Sequence, residues 1–478
     1  MTISDELLLI AVPWAFLCYY VGRLCNRSVE GSVGLPLAFL ITMTFMYGGA
    51  LVYLVPGYSH LNNPYLLSLN FTAEMVAQGF FASLLGIAGI ALGCRIATRP
   101  SGVKAGDRRL SAVSVEVPSR MIWLVLMGGG SAFVLTSVAG HQASIEAVVA
   151  AARNLTIVGI CLGLWSAHQR QDWRLKYKWL VVASFIPAGY LLGWGFLSYG
   201  FIAGSILLAF IWALRGSTRG HRFSPIRVML GVVAFYLILS VFVSYMEVRQ
   251  YLREVLWSDA GLEARIAVVF DAMAKASFFN PFDFRQLDFI NMRLNQNFFI
   301  GKAITWLQLF PDLFQNGHTI VESVFAWIPR VLWPNKPEMG GSSFVSLYTN
   351  MTLSKTTTFG AGPIFELYVN YGYPAVFIGM TVFGSVVRFF DIRCARALRS
   401  GDLPKFVRLF LVGIPLINPL NVFFFMVSSC AAAWVLGTAL VFLFHRSGKK
   451  HGAEKVPPNT APPGYELRTR RQINLGIR

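Results

Sequence analysis

The sequence predicts an all-α polytopic integral membrane protein with about eleven transmembrane helices (about 10–12) and one large loop on the non-cytoplasmic side. The first observation is composition: 55% of the residues are hydrophobic and 13% are charged, whereas soluble domains carry about 25% charged residues. The second is a series of apolar runs of about 17–25 residues, the length that crosses a hydrocarbon core about 30 Å thick. The third is an alternation of Lys and Arg between successive connections.

The apolar runs are predicted to be helices, because a helix bonds its own backbone groups where no water is present. The N-terminus carries Asp5 and Glu6 where a signal peptide carries bases, so we expect a retained first helix. The tenth predicted span is short and follows Pro404. The predicted spans are 5–21, 34–56, 75–94, 121–138, 147–166, 179–193, 196–214, 228–246, 364–387, 409–419 and 421–444.

The connections between these spans predict the topology. The short connections without Lys or Arg are 57–74, 139–146, 194–195 and 420. Those between them are basic, from Arg23 and Arg27 in the first to the cluster that begins at Arg388. The positive-inside rule therefore predicts an outer N-terminus and a cytoplasmic C-terminus. The formal net charge of +18 reports this topology and does not indicate nucleic-acid binding.

Four regions follow from this pattern. Within the large loop, the segment 298–314 is apolar, short and interrupted by Pro311, so we predict an interfacial or re-entrant helix. The rest of the loop is predicted to be mixed helix and coil. The regions are 1–246, an N-terminal membrane bundle of about eight helices; 247–363, the large loop; 364–445, about three C-terminal membrane helices; and 446–478, a disordered basic cytoplasmic tail.

Several sequence patterns exclude other chemistries. The chain has no Walker motif, GxGxxG, DxD pair or HExxH. The six cysteines are scattered and none lies in the large loop, so neither a disulfide framework nor a metal pair is predicted. We therefore expect no cofactor and no metal. A transferase acting on the outer face has no nucleotide at hand, so its donor is expected to be preactivated and lipid-linked.

The large loop carries a group of cations. Arg249 and Arg253 are four residues apart on the predicted continuation of the eighth helix, so they share one face just beyond the membrane. Guanidinium groups bind phosphate oxygens through paired hydrogen bonds, and this is the depth of a lipid diphosphate. The alternative is a solvated surface with local salt bridges. The cationic set is Arg249, Arg253, Arg265, Arg285, Arg293, Arg330 and Lys336.

A proline-rich segment of the loop combines a possible base with cations. His318 and Glu322 are four residues apart and share one helical face. Either side chain, beside arginines, is a candidate general base for a sugar hydroxyl. The alternative is that His318 caps a helix and Glu322 pairs with a loop arginine. Arg330, Trp333 and Lys336 follow on a turn that three prolines fix.

Glu366 lies at the outer entry of a predicted span, where an ionisable residue is costly without a partner and marks a functional site. Asn370 lies one turn further on the same face. Arg153, near the outer end of the fifth span, is predicted to pair with Glu366 or to belong to the anion site. Loop aromatics such as Trp327 and Trp333 are open to two interpretations, stacking on sugars or an interfacial belt.

Two stretches resemble a known family. The turn IPRVLWPNKPEMGG (328–341) and the segment FGAGPIFELYVNYGYPAVFIGM (359–380) look like the late region of Wzy-type oligosaccharide repeat-unit polymerases, the O-antigen and exopolysaccharide polymerases. Tyr371 stands where that family more often has Phe. The residues that fit the family pattern are Pro329, Arg330, Trp333, Pro334, Lys336 and Pro337, then Gly362, Glu366, Tyr368, Asn370 and Gly372.

The resemblance implies the membrane glycosyltransferase fold related to O-antigen ligases, in the bacterial inner membrane. The implied reaction moves a growing glycan from undecaprenyl diphosphate to the non-reducing end of a lipid-linked repeat unit on the periplasmic face, without a metal. Implied partners are the lipid-linked donor and acceptor glycans, membrane lipid, and chain-length regulator and export proteins, but no nucleic acid.

The resulting interpretation assigns arginines to the leaving diphosphate, whose developing charge they stabilise. Three alternatives stay open: a ligase, a lipid-linked oligosaccharide flippase or transporter, and a non-catalytic assembly scaffold. The absence of an evident internal repeat argues against an inverted-repeat transporter. The predicted binding residues are Arg249, Arg253, Arg330, Lys336, Trp333, Asn370 and Arg153, and the unranked candidate bases are His318, Glu322 and Glu366.

Overall fold

The structure is a computed structural model, and it describes residues 3–28, 31–58, 63–69, 72–98, 117–135, 143–194, 197–216, 225–256, 262–274, 277–330, 332–337, 340–353 and 360–451. Every regular element in these ranges is helical. The α-helices are α1 Ile3–Arg27, α2 Leu35–Tyr47, α3 Pro64–Ser68, α4 Ala73–Ala97, α5 Ser119–Leu135, α6 Ala143–Arg153, α7 Leu155–Gln169, α8 Trp173–Ser184, α9 Ile186–Trp194, α10 Leu197–Gly216, α11 Pro225–Leu256, α12 Leu262–Ala274, α13 Phe284–Leu294, α14 Asn297–Leu309, α15 His318–Val324, α16 Gly341–Thr349, α17 Gly362–Ser400, α18 Leu403–Gly413 and α19 Phe423–His451.

The architecture is that of a helical multi-pass membrane protein. Three of the predicted spans fall on helices that are shorter than the long apolar segments of the described chain: 121–138 on α5, 179–193 on α8 and α9, and 409–419 on α18. The break between α8 and α9 comes just before Pro187, the second residue of α9, because proline lacks the backbone N–H that would continue α8. The segments of the described chain that are long and apolar enough to cross a membrane are Ile3–Asn26, Leu35–Leu54, Ala73–Ala97, Val148–Gln169, Leu197–Leu214, Gly231–Val255, Gly362–Ser400 and Phe423–Phe444.

The C-terminal end departs from the predicted boundary. The tail was predicted to be disordered from 446, but α19 continues to His451. The rest of the predicted tail, 452–478, lies outside the described residues.

The core is built on close packing between α4 and α17. A methyl group added at Gly93 would stand 2.1 Å from the carbonyl oxygen of Thr381, and one at Gly89 would stand 2.6 Å from that of Phe377. Small residues let membrane helices approach to backbone contact. Larger side chains at these two glycines would therefore separate the helices that carry the centre of the bundle.

The helix α17 bends sharply near its start. Tyr371 (φ −145°, ψ 24°) and Gly372 (φ 68°, ψ −154°) leave helical geometry, and Pro374 follows. Glycine adopts this positive φ without a steric penalty. The bend separates the first turns, Gly362 to Asn370, in which every residue is buried, from the long remainder of the helix.

The helices α13 and α14 form a hairpin that enters the bundle. Asn297, at the start of α14, lies against Gly79 of α4, where an added methyl group would meet its carbonyl oxygen at 1.9 Å. The amide of Gln296 donates to the carbonyl of Met46 at 3.2 Å. The segment predicted to be interfacial or re-entrant, 298–314, therefore begins deep beside α4, and α14 packs along that helix.

Asparagine side chains bond the polar groups at the turn of this hairpin. The Nδ2 of Asn297 donates to the carbonyl of Tyr47 at 2.6 Å, and the Nδ2 of Asn295 donates to the Oδ1 of Asn291 at 2.7 Å. The hydroxyl of Ser83 donates to the Oδ1 of Asn297 at 2.8 Å. Non-helical backbone at membrane depth is tolerated only where protein partners replace water, so these side chains hold the turn in place.

Candidate functional site

A cavity of about 1180 Å³ lies between α2, α10 and α11, next to the α13–α14 turn and the start of α19. Its charged lining residues are Arg249 and Arg253 from α11, Arg293 from α13 and Arg330 from the turn after α15. None of the described residues that line it is acidic. The described residues also contain no group of three His, Cys, Asp or Glu suited to a metal ion.

Most of the remaining lining is apolar. Along α11 the lining extends from Phe235 to Arg253, about 27 Å at about 1.5 Å per residue. This is close to the thickness of a hydrocarbon core, about 30 Å. Leu37 and Ile41 of α2 and Leu208 of α10 also line the cavity. The cavity therefore suits an amphiphile with an anionic head and a long apolar chain.

Arg249 and Arg253 both face this cavity, as their spacing predicts. Arg253 donates a hydrogen bond to Tyr245, which also lines the cavity, and the charge of Arg249 acts on Arg253. Neighbouring like charges disfavour each other. An anion that enters between them relieves this repulsion.

The turn after α15 presents Arg330 to the cavity, and Lys336 holds that turn. The Nζ of Lys336 donates to the carbonyls of Ala326 at 2.6 Å and Ile328 at 3.1 Å, and lies 5.0 Å from the ring centre of Phe424. The Nη1 of Arg330 donates to the Lys336 carbonyl at 3.0 Å. Burial and the charge of Arg330 lower the pKa of Lys336. Lys336 thus bonds backbone carbonyls behind the cavity wall.

Glu366 joins three helices. Its side chain is fully buried, its Oε2 accepts the amide of Phe423 at 2.6 Å, and its Oε1 accepts the hydroxyl of Ser323 at 3.2 Å. Since Phe423 begins α19, the carboxylate caps the N-terminus of that helix. Asn370 connects α17 to α15 a second time, because its Nδ2 donates to the hydroxyl of Thr319 at 2.7 Å. Neither Glu366 nor Asn370 is among the residues that line the cavity.

The other predicted site residues lie outside the cavity lining. His318 and Glu322 share one face of α15, with Nδ1 and Oε1 3.6 Å apart, and the imidazole is 69% exposed. Arg153 is buried at the end of α6, within electrostatic range of Tyr190 of α9. Trp333 lies in the turn that carries Arg330 but does not line the cavity. Of the predicted set, the cavity brings together Arg249, Arg253 and Arg330.

The cavity also contains residues outside the predicted binding set. Arg293 and Gln296 reach it from the α13–α14 turn, and Asn418 and Asn421 reach it just before α19. Arg293 is a member of the cationic set of the large loop, and it reaches the cavity because the hairpin of α13 and α14 enters the bundle. Two asparagines around a proline, within an otherwise apolar stretch, were a sequence signal for the second pair.

The match to a known family covers both the arginines and the bundle around them. The family model described as "Domain of unknown function (DUF8712)" matches residues 37–400, more than half of the chain. The chain belongs to this family. No curated protein and no solved structure matches it. The DUF8712 region includes all four cavity arginines as well as Glu366 and Asn370, and it ends with α17.

Proposed function

We propose that the protein is a membrane glycosyltransferase that polymerises undecaprenyl-diphosphate-linked repeat units on the periplasmic face of the inner membrane, in O-antigen or exopolysaccharide biosynthesis. The cavity is the observation that carries this proposal. Four arginines face one space that no described acidic residue lines, and an apolar channel about as long as a hydrocarbon core leads away from them. A lipid diphosphate combines the two features that this lining complements.

In the proposed reaction, an acceptor hydroxyl attacks the anomeric carbon of the donor glycan. The bond between that carbon and the phosphate oxygen breaks, and undecaprenyl diphosphate leaves with the electron pair. Arg249, Arg253, Arg293 and Arg330 stabilise the negative charge that develops on the leaving group. Because guanidinium groups stay protonated, this stabilisation persists across the physiological pH range.

The acceptor proton goes to a base, for which His318, Glu322 and Glu366 are the candidates. Both carboxylate oxygens of Glu366 already accept hydrogen bonds that hold α15 and α19. His318 has an exposed imidazole, and the Oε1 of Glu322 lies 3.6 Å from its Nδ1, where the carboxylate can orient the ring and leave the other nitrogen to accept a proton. This contrast favours His318 as the base and Glu366 as a positioning residue.

A ligase and a flippase are the two other activities for which the lining of the cavity is relevant. A ligase uses the same donor and arginines but another acceptor. A flippase must carry the polar head across the membrane, whereas the charged residues of the cavity lining lie towards the ends of α11 and α13, and the remaining lining is mostly apolar. This one-sided distribution favours chemistry at one face over translocation.

The test is the glycan length made by a strain that lacks the gene, complemented with wild type, Arg330→Ala or Arg285→Ala at matched membrane levels. Arg285 is an exposed arginine outside the cavity lining, so its variant is the matched control. We expect deletion and Arg330→Ala to leave single repeat units, and Arg285→Ala to restore long chains. Long chains retained on the carrier lipid in the deletion strain would identify a ligase. Repeat units confined to the cytoplasmic face would identify a flippase.

A further inference from the structure

The helix α15 and the residues after it expose an apolar face. Val321, Val324 and Phe325 are 57%, 60% and 48% exposed, and their spacing places them on one side of the helix. Trp327 and Leu332, just beyond the helix, are 58% and 77% exposed. These five residues form what we call the α15 face. Apolar surface gathered in this way marks an interaction site.

After its first residue, the exposed His318, the most exposed side chains of α15 are apolar, which is the reverse of a helix on a water-soluble surface. Its inward side carries Thr319 and Ser323, which are 1% and 3% exposed. Ser323 donates to the carboxylate of Glu366, and Thr319 accepts from Asn370. Polar side chains that turn inward while apolar ones turn outward are expected where the surroundings are lipid.

The contacts of Glu366 fix the level of α15 relative to a membrane-spanning helix. The same carboxylate binds Ser323 of α15 and the amide of Phe423, and Phe423 is the first residue of the span Phe423–Phe444. The helix α15 packs against α19 and α17. The helix α15 therefore lies beside the first turn of a span whose outward residues, such as Val435, are exposed.

We propose that the α15 face is immersed in the lipid leaflet at the start of α19, with acyl chains as its occupant. Its flanking residues fit this environment. Trp327 is of the type that concentrates at the membrane interface, and Arg330 follows three residues later, as cations do on helices that lie in the headgroup region. Because α15 packs against α19, the leaflet that surrounds the start of that span also reaches α15.

This placement has a consequence for the cavity. Arg330 belongs to the same turn as Trp327 and Leu332, and Lys336 ties that turn to the carbonyls of Ala326 and Ile328. A turn held in the interface keeps the Arg330 guanidinium at the depth of lipid phosphates. The inference itself rests on burial and contacts, so it stands or falls independently of the proposed transferase activity.

The test uses the unmodified full-length protein in nanodiscs of phosphatidylcholine and phosphatidylglycerol. A small fraction of the phosphatidylcholine carries a photoactivatable diazirine on its acyl chain, and lipid adducts are mapped by mass spectrometry after irradiation. The span 423–444 is the positive control, and the buried start of α14, residues 297–301, is the negative control. We expect adducts on 321–332 at a density comparable to that on 423–444.

Adducts on 423–444 without adducts on 321–332 would overturn the proposal. Cross-links between two copies of the chain through 321–332, in place of lipid adducts, would also overturn it and would assign the face to a second copy. Because the chain carries no substitution, a folding defect does not explain either result.

Discussion

The buried pair of Arg388 and Asp391 and the arginine-lined cavity place the same side chain in opposite settings. Arg388 and Asp391 are both fully buried and form a close ion pair. The Oδ1 of Asp391 also accepts the amides of Val33 at 2.9 Å, Gly34 at 2.9 Å and Leu35 at 3.1 Å. The carboxylate therefore balances an arginine and caps the N-terminus of α2 at the same time.

The arginines around the cavity are arranged differently from Arg388. Arg388 further donates to the hydroxyl of Thr98 at 3.0 Å and the carbonyl of Gly31 at 3.2 Å, so its charge is used within the fold. The four cavity arginines share a lining in which none of the described residues is acidic. The comparison teaches that a matched arginine joins helices, whereas a group of like charges around a cavity prepares a site for an anion from outside.

Breaking the matched pair should give the largest effect. Asp391→Ala leaves Arg388 buried without its counter-charge and uncaps α2, so we expect a loss of about 3–5 kcal/mol in the free energy of unfolding. The measurement is the unfolding temperature and the yield of monodisperse protein in detergent. Asp312→Ala, at an exposed acid, is the matched control. An Asp391→Ala protein as stable as this control would contradict the structural role of the pair.

Glu366 sharpens the comparison, since it is a buried acid that accepts hydrogen bonds from neutral donors. Glu366→Gln keeps an oxygen for the amide of Phe423, so we expect most stability and polymerisation to remain. Glu366→Ala removes both acceptors and should cost about 1–3 kcal/mol of unfolding free energy. Thermal unfolding and glycan length are measured on both. A stable Gln variant without polymerisation would instead make Glu366 the base.

Adding an acid to the cavity should give its arginines a counter-charge within the protein, as Asp391 gives Arg388. Gln296→Glu is isosteric and places a carboxylate among the lining residues, near Arg293 in the chain. We expect lipid-diphosphate binding to weaken at least about tenfold, about 1.4 kcal/mol, with an unchanged or higher unfolding temperature. Gln308→Glu, at an exposed position of α14, is the control. Equal binding by both variants would show that the arginines do not receive the diphosphate.

Local patterns predicted the parts of the fold that depend on one helix at a time. The apolar runs predicted the spans, and the four-residue spacing placed Arg249 and Arg253 on one face of α11. The rule that an ionisable residue in a span has a partner singled out Glu366. In each case the prediction needs only residues that are neighbours in the chain, because the helical period and the cost of burying a charge act within one helix.

Long-range packing decided what the sequence left open. The sequence pattern places Arg388 in a cytoplasmic connection. In the structure, α17 continues to Ser400, and Arg388 lies within it and bonds the carbonyl of Gly31, just before α2. Glu366 and Phe423 are far apart in the chain, so the cap of α19 was not predictable from local pattern. Arg293 reaches the cavity only because α13 and α14 fold back at a turn inside the bundle.

The most direct test of the central claim is equilibrium binding of undecaprenyl diphosphate to the purified full-length protein in nanodiscs. Wild type, Arg253→Ala and the control Arg285→Ala are compared after their unfolding temperatures are shown to match. We predict at least about tenfold weaker binding by Arg253→Ala than by wild type, corresponding to about 1.4 kcal/mol, and wild-type binding by Arg285→Ala. Binding by Arg253→Ala that equals wild type would contradict the assignment of the cavity to a lipid diphosphate.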